Sequence, residues 1–145
     1  MLYQMLPIIY WAIAIPITVY AVRFGEEPER FGAAFTFFAS VLTTVVMTAL
    51  PDEVRYAALE RVVAAIDFIL LIGWLYLALH FDRYWTLCAA GFQLVTVATH
   101  LVMIAVPGVV PYAYEMAQGF WAYPIWIAIL IGTRQREKFR RQMVR

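Results

Sequence analysis

The chain has 145 residues, of which 64% are hydrophobic, 17% aromatic and 14% charged, with a formal net charge of +1. Soluble domains carry about 25% charged residues, so this composition points to lipid as the solvent and leaves no room for a separate catalytic domain. Single copies of cysteine (Cys88), serine (Ser40) and lysine (Lys138, in the polar tail) exclude internal disulfides, Cys-based zinc sites, a Gly-x-Ser-x-Gly nucleophile and an intramembrane Schiff base. No phosphate loop, His-Glu-x-x-His pair or dinucleotide fingerprint occurs. The chain therefore reads as a non-enzyme, with no catalytic residue, resident metal or cofactor expected.

Five apolar stretches predict membrane spans at roughly 2–22, 31–50, 62–79, 85–106 and 112–132. Each approaches the ~20 residues needed to cross a ~30 Å hydrocarbon core. The expected fold is an all-α integral membrane bundle over 1–133, followed by a basic cytoplasmic tail over 134–145. The first stretch lacks a basic start and an Ala-x-Ala cleavage pattern, so it reads as a retained span.

The connections are short. Arg23–Arg30 (RFGEEPER) reads as a charged turn broken by Gly25 and Pro28. Pro51 opens the approach to the third helix, where Asp52 and Glu53 suit the positive end of the helix dipole. His80–Tyr84 (HFDRY) is a tight corner, and Pro107–Pro111 (PGVVP) a turn with Pro111 at the first position of the fifth helix. Pro7, Pro16 and Pro124 fall inside spans.

Arginine and lysine counts orient the bundle. With the N-terminus outside and the C-terminus inside, nine of the eleven basic residues face the cytoplasm and two (Arg55, Arg61) the exterior. The alternative, a four-span chain with a re-entrant segment around Glu115 and Pro124, would put the basic tail outside and break that rule.

The second helix carries Gly32, Thr36, Ser40, Thr44 and Thr48 at every fourth position, a stripe of small residues on one face. Such stripes let helix backbones approach closely in lipid. Packing within one chain and contact with a second copy or another subunit are both open. Phe35, Phe37 and Phe38 lie largely off the stripe.

In the third helix Glu53, Glu60 and Asp67 are seven apart, and Trp74 continues that face. Glu53 and Glu60 suit an interfacial helix end. Asp67 lies within the apolar segment, where a lone carboxylate is costly. Gln93, Thr96 and His100 share one face of the fourth helix. Counting about 1.5 Å per residue, Asp67 and His100 reach one depth in the outer half of the bilayer. Thr43 and Thr44 on the second helix, and Glu115 and Gln118 on the fifth, belong to the same layer. That layer is either an interhelical hydrogen-bond network or a proton-handling or small-ligand pocket open to the outside. A metal held by His100, Asp67 and Glu115 is a weaker alternative, lacking any ligand-spacing motif. His80 and His100 stand about 18 Å apart in depth, too far to share one haem iron.

Trp11, Trp85, Tyr84, Tyr112, Tyr114 and Tyr3 read as an interfacial belt, whereas Trp74, Trp121, Tyr123 and Trp126 read as packing residues or contacts for a lipid or quinone-like ligand. The tail holds Arg134, Arg136, Lys138, Arg140, Arg141 and Arg145 against one acid, Glu137. A basic segment there fixes topology and attracts anionic lipid headgroups or an acidic partner; nucleic-acid binding has no supporting motif.

These features predict an integral protein of the cytoplasmic membrane, if the source is bacterial. The favoured role is an accessory or assembly subunit of a membrane complex, or a homo-oligomeric structural protein. The rival is a small carrier or binding protein for a proton, lipid or quinone-like ligand, centred on Asp67 and His100. A hole-forming lysis protein is a third class, but it has no need of the intramembrane charges.

Overall fold

The computed structural model describes the backbone over residues 2–49, 57–105 and 111–143, and side-chain surroundings over 7–49, 61–102, 105 and 120–143. Every described element is a helix: α1 (Leu2–Phe24), α2 (Glu27–Ala49), α3 (Ala57–His80), α4 (Tyr84–Ala105) and α5 (Pro111–Met143). The helices form a ring in chain order, closed by α1 against α5, and α2 also touches α5 across the ring. Pro51, Asp52, Glu53, Arg55, Pro107 and Arg145, and the side chains of Tyr3, Glu60, Tyr112, Tyr114, Glu115 and Gln118, lie outside the described residues.

Among the described residues four helices are long and apolar enough to cross a membrane: Pro7–Phe24, Glu27–Ala49, Arg61–His80 and Tyr84–Val102. Large apolar side chains are exposed around the bundle, among them Ile8, Phe38, Phe68, Leu94, Leu101 and Ile127. Such a surface is at home in hydrocarbon and an aggregation hazard in water.

The connection between α1 and α2 is shorter than the charged turn expected, because only Gly25 and Glu26 separate the helices. Pro28 does not break the chain. It sits in the first turn of α2, where a missing N–H leaves no helical bond unmade. Glu29 reaches back one turn, and its Oε2 accepts the Glu26 backbone N–H at 2.9 Å. That is the reciprocal half of a capping box, formed at the third helical position. Gly25 is required by space: a Cβ there would stand 2.5 Å from the Ala21 carbonyl oxygen.

α5 is one unbroken helix of 33 residues, so the segment around Glu115 and Pro124 does not turn back on itself. At 1.5 Å per residue it is about 50 Å long, and the basic tail is its helical continuation as far as Met143.

The core pairs large with small. Trp74 and Trp126 are fully buried, alongside Ala14, Ala33, Ala89, Ile125 and Ile129. Trp74 lies on Gly32, where an added Cβ would come within 2.6 Å of its Cη2, and Trp85 lies equally tightly on Gly132. The two indoles meet edge to face at 5.9 Å. Trp85 is thus a core residue rather than part of an interfacial belt, and Trp11 is a half-buried mid-helix residue packed edge-on against Phe37 at 5.5 Å. Tyr84, 90% exposed, keeps the surface position expected of it.

The small-residue stripe of α2 divides in two. Gly32 and Thr36 are buried and Ser40 half-buried, but Thr44 and Thr48 are exposed. Within this chain the stripe is packed only over the N-terminal half of α2. The hydroxyls further along bond their own helix, Thr44 to the Ser40 carbonyl at 2.8 Å and Thr48 to the Thr44 carbonyl at 3.0 Å.

Candidate functional site

Asp67, Gln93 and His100 meet between α3 and α4. Gln93 and His100 are seven residues apart, nearly two helical turns, so both face α3. His100 Nε2 lies 2.8 Å from Asp67 Oδ2. The Gln93 amide nitrogen donates to Asp67 Oδ1 at 3.1 Å and to the Asp67 backbone carbonyl at 3.1 Å. His100 and Gln93 are buried, whereas the Asp67 side chain is 19% exposed. Thr96, on the same face of α4, is buried and donates to the Phe92 carbonyl at 3.1 Å.

The geometry constrains the chemistry. Both carboxyl oxygens of Asp67 are engaged, and the Gln93 bond requires Oδ1 to be an acceptor. Between Oδ2 and Nε2 a single proton suffices, carried on the imidazole or on the carboxyl. The cluster can therefore lock two helices together, and it can hold a proton that moves between two bases. Glu115 and Gln118, expected in the same layer, lie outside the described side chains. Thr43 and Thr44 are not among the hydrogen-bond partners of Asp67 or His100; Thr44 bonds within its own helix.

A second polar network was not legible as such in the sequence. Trp126 Nε1 donates to the Tyr10 hydroxyl at 3.1 Å, Tyr10 bonds the Ser40 hydroxyl, and Ser40 donates to the Thr36 carbonyl at 2.9 Å. Indole can only donate and a carbonyl can only accept, so the Ser40 proton is committed and Tyr10 must be the donor to Ser40. One directional chain thereby joins α5, α1 and α2. A tyrosine halfway along an apolar span was the available signal, since a buried phenol needs a partner.

At the opposite end of the bundle Glu26 and Glu137 are paired. Glu26 bonds Arg83 at 3.4 Å and also holds Arg136. Glu137 accepts from Tyr20 and from Arg141. The Tyr20 hydrogen bond, then that of Arg141, holds the Glu137 carboxyl below its ordinary value. Of the basic residues expected to meet anionic lipid, Arg136 is thus turned to Glu26 and set against the Phe139 ring at 5.3 Å. Arg134, Lys138 and Arg140 are exposed. Glu29 is fully buried here, a carboxylate the sequence did not single out beyond its place in the charged turn.

Among the described residues no three His, Cys, Asp or Glu side chains gather as a metal site. His80 stacks on Tyr76 at 5.2 Å, at the other end of α3 from the Asp67 cluster, so the two histidines are far apart. Cys88 is exposed. No protein-family model, curated protein or solved structure matches this chain, so its function is read from these side chains.

Proposed function

We propose that the chain is a five-span integral membrane protein, N-terminus outside and C-terminus in the cytoplasm, that serves as a non-enzymatic subunit of a membrane assembly or of its own oligomer. The observation carrying this reading is the outer half of α2. No described residue of α2 beyond Thr36 is buried, and Leu42, Thr44, Val45 and Thr48 are exposed on a helix whose inner half is packed. Small hydroxylated residues on a free helix face suit close helix–helix contact in lipid, where dispersion and hydrogen bonding drive association. Asp67 bonds Gln93 and His100, and Tyr10 joins Trp126 to Ser40, so these polar groups tie helices together, which suits a structural part. Native mass spectrometry from mild detergent tests the reading. A defined oligomer or co-purified membrane subunits are expected, and Thr44→Trp should weaken that association while leaving the helical content unchanged. A lone chain in every mild detergent overturns it.

One observation favours a second reading, a proton or small-ligand carrier: Asp67 keeps 19% of its side chain accessible while its partner His100 is buried. Such a site offers a ligand or proton the Asp67 carboxyl rather than the His100 imidazole. A stoichiometric small ligand on a monomer, lost in Asp67→Asn, would select this reading over the first.

A further inference from the structure

We propose that the cleft between the C-terminal half of α1 and the last turns of α5 binds one anionic phospholipid of the cytoplasmic leaflet. This rests on the membrane reading above and adds to it a stoichiometric site where the tail alone would give only diffuse attraction.

Leu130, Arg134, Lys138 and Arg141 follow one another at three- and four-residue steps, so they share a face of α5. Pro16, Ile17 and Tyr20 of α1 oppose them, and the open cleft between has a volume of about 600 Å³. That lies within the about 300–1,000 Å³ of small-ligand sites, room for a phosphoglycerol headgroup and the first part of its chains. Polarity changes along the cleft. Pro16, Ile17 and Leu130 form an apolar wall on the side of the membrane core, and the three cations stand at the cytoplasmic end. A phospholipid carries the same gradient, from acyl chain to phosphate.

The acid in the cleft does not cancel these cations. Glu137 is already engaged by Tyr20 and Arg141. Arg134 and Lys138 are exposed, and no hydrogen bond or ion pair joins them to another described residue. Two uncommitted cations beside an apolar wall, with the neighbouring carboxylate neutralised by its own partners, form a phosphate site coupled to a chain site. The other tail residues differ: Arg136 is committed to Glu26, and Arg140 is exposed but does not line the cleft.

The full-length protein is placed in nanodiscs of equal phosphatidylglycerol and phosphatidylcholine, released, and its retained lipid read by native mass spectrometry. One phosphatidylglycerol per chain is expected. Arg134→Gln with Lys138→Gln should lower its retention about 25-fold, at about fivefold per cation near a charged surface, and Arg134→Lys with Lys138→Arg should restore it. Arg140→Gln should leave retention unchanged. Leu130→Trp fills the apolar wall without touching charge and should also lower retention, which separates a lipid from a soluble phosphate; millimolar inorganic phosphate should displace nothing. Equal retention of the two lipids, an equal loss in Arg140→Gln, or displacement by phosphate with Leu130→Trp silent each overturns the site. Release of the wild type from membranes by alkaline carbonate would instead refute the membrane reading itself.

Discussion

His100 Nε2 stands 2.8 Å from Asp67 Oδ2, although 33 residues separate the two along the chain. The contact joins antiparallel helices at one depth, and Gln93 closes the other carboxyl oxygen at 3.1 Å. Removing either member of the pair leaves the other without this hydrogen bond in a largely buried setting. Asp67→Asn and His100→Gln are each expected to cost about 1–3 kcal/mol in detergent. The double variant should cost less than the sum by more than about 0.5 kcal/mol, the level below which separate sites simply add. Interhelical hydrogen bonds in membranes average about 0.6 kcal/mol, so a coupling well above that would mark a charge-assisted pair. Strict additivity would mean that the contact contributes nothing.

The glycines give a packing test with opposite signs. An added Cβ at Gly32 would lie 2.6 Å from Trp74 Cη2, and Trp74 is fully buried with no room to yield. At Gly73 the clash is with Phe35 Cε1 at 2.2 Å, but that ring is only half-buried and can swing outward. At Gly91 nothing lies within 4 Å. Gly32→Ala should therefore destabilise by about 1–3 kcal/mol and Gly73→Ala by less. Gly91→Ala should be neutral or add up to about 1 kcal/mol, since alanine is the better helix former. Thermal unfolding in one detergent ranks the three, and an equal response from all of them would dismiss the Trp74–Gly32 contact as a structural constraint.

Tyr10 sits at the branch of the Trp126–Tyr10–Ser40 chain. Tyr10→Phe removes the acceptor for a fully buried indole N–H and the donor to Ser40 together. A loss of about 1–3 kcal/mol is expected. Ser40→Ala should cost less, because the Tyr10 oxygen remains available to Trp126. Equilibrium unfolding followed by tryptophan fluorescence reads the order, and Ser40→Ala costing more than Tyr10→Phe would mean that the Trp126 indole does not depend on the Tyr10 oxygen.

Glu137 predicts a pH dependence at the C-terminal end of α5. Its folded-state carboxyl titrates below the ordinary value of 4.5, held down first by the Tyr20 hydroxyl and then by Arg141. A lowered folded value means that the contribution to stability is complete above the unfolded value and is lost as pH falls through the folded one. The tail contact should therefore be intact at neutral pH and loosen only under acid conditions below that ordinary value. Carbon-13 NMR of the Glu137 carboxyl checks the titration directly, and Tyr20→Phe should move its midpoint upward. An unmoved midpoint would mean that the hydroxyl does not hold the carboxylate.

What the sequence by itself determined is the all-α class, the five helices with their approximate limits, and the position of each polar group along its helix. Composition and the apolar runs of about 20 residues carry that information locally, because each helix satisfies its own backbone. Position along a helix follows from residue count alone, which is why Asp67 and His100 could be placed at one level, with Gln93 on the same face of α4 as His100. Rotation about each helix axis is another matter. Whether Trp85 met lipid or Gly132, whether Tyr10 found Ser40 and Trp126, and where the α2 stripe stopped being a seam depended on which neighbours the ring supplied. The long-range placement of Arg136 on Glu26, and of Tyr20 on Glu137, likewise required α1, α2 and α5 to close together. In spans that are apolar on nearly every face, hydrophobic periodicity cannot choose the inward side. Only the fit of indoles onto glycines and of polar groups onto one another makes that choice.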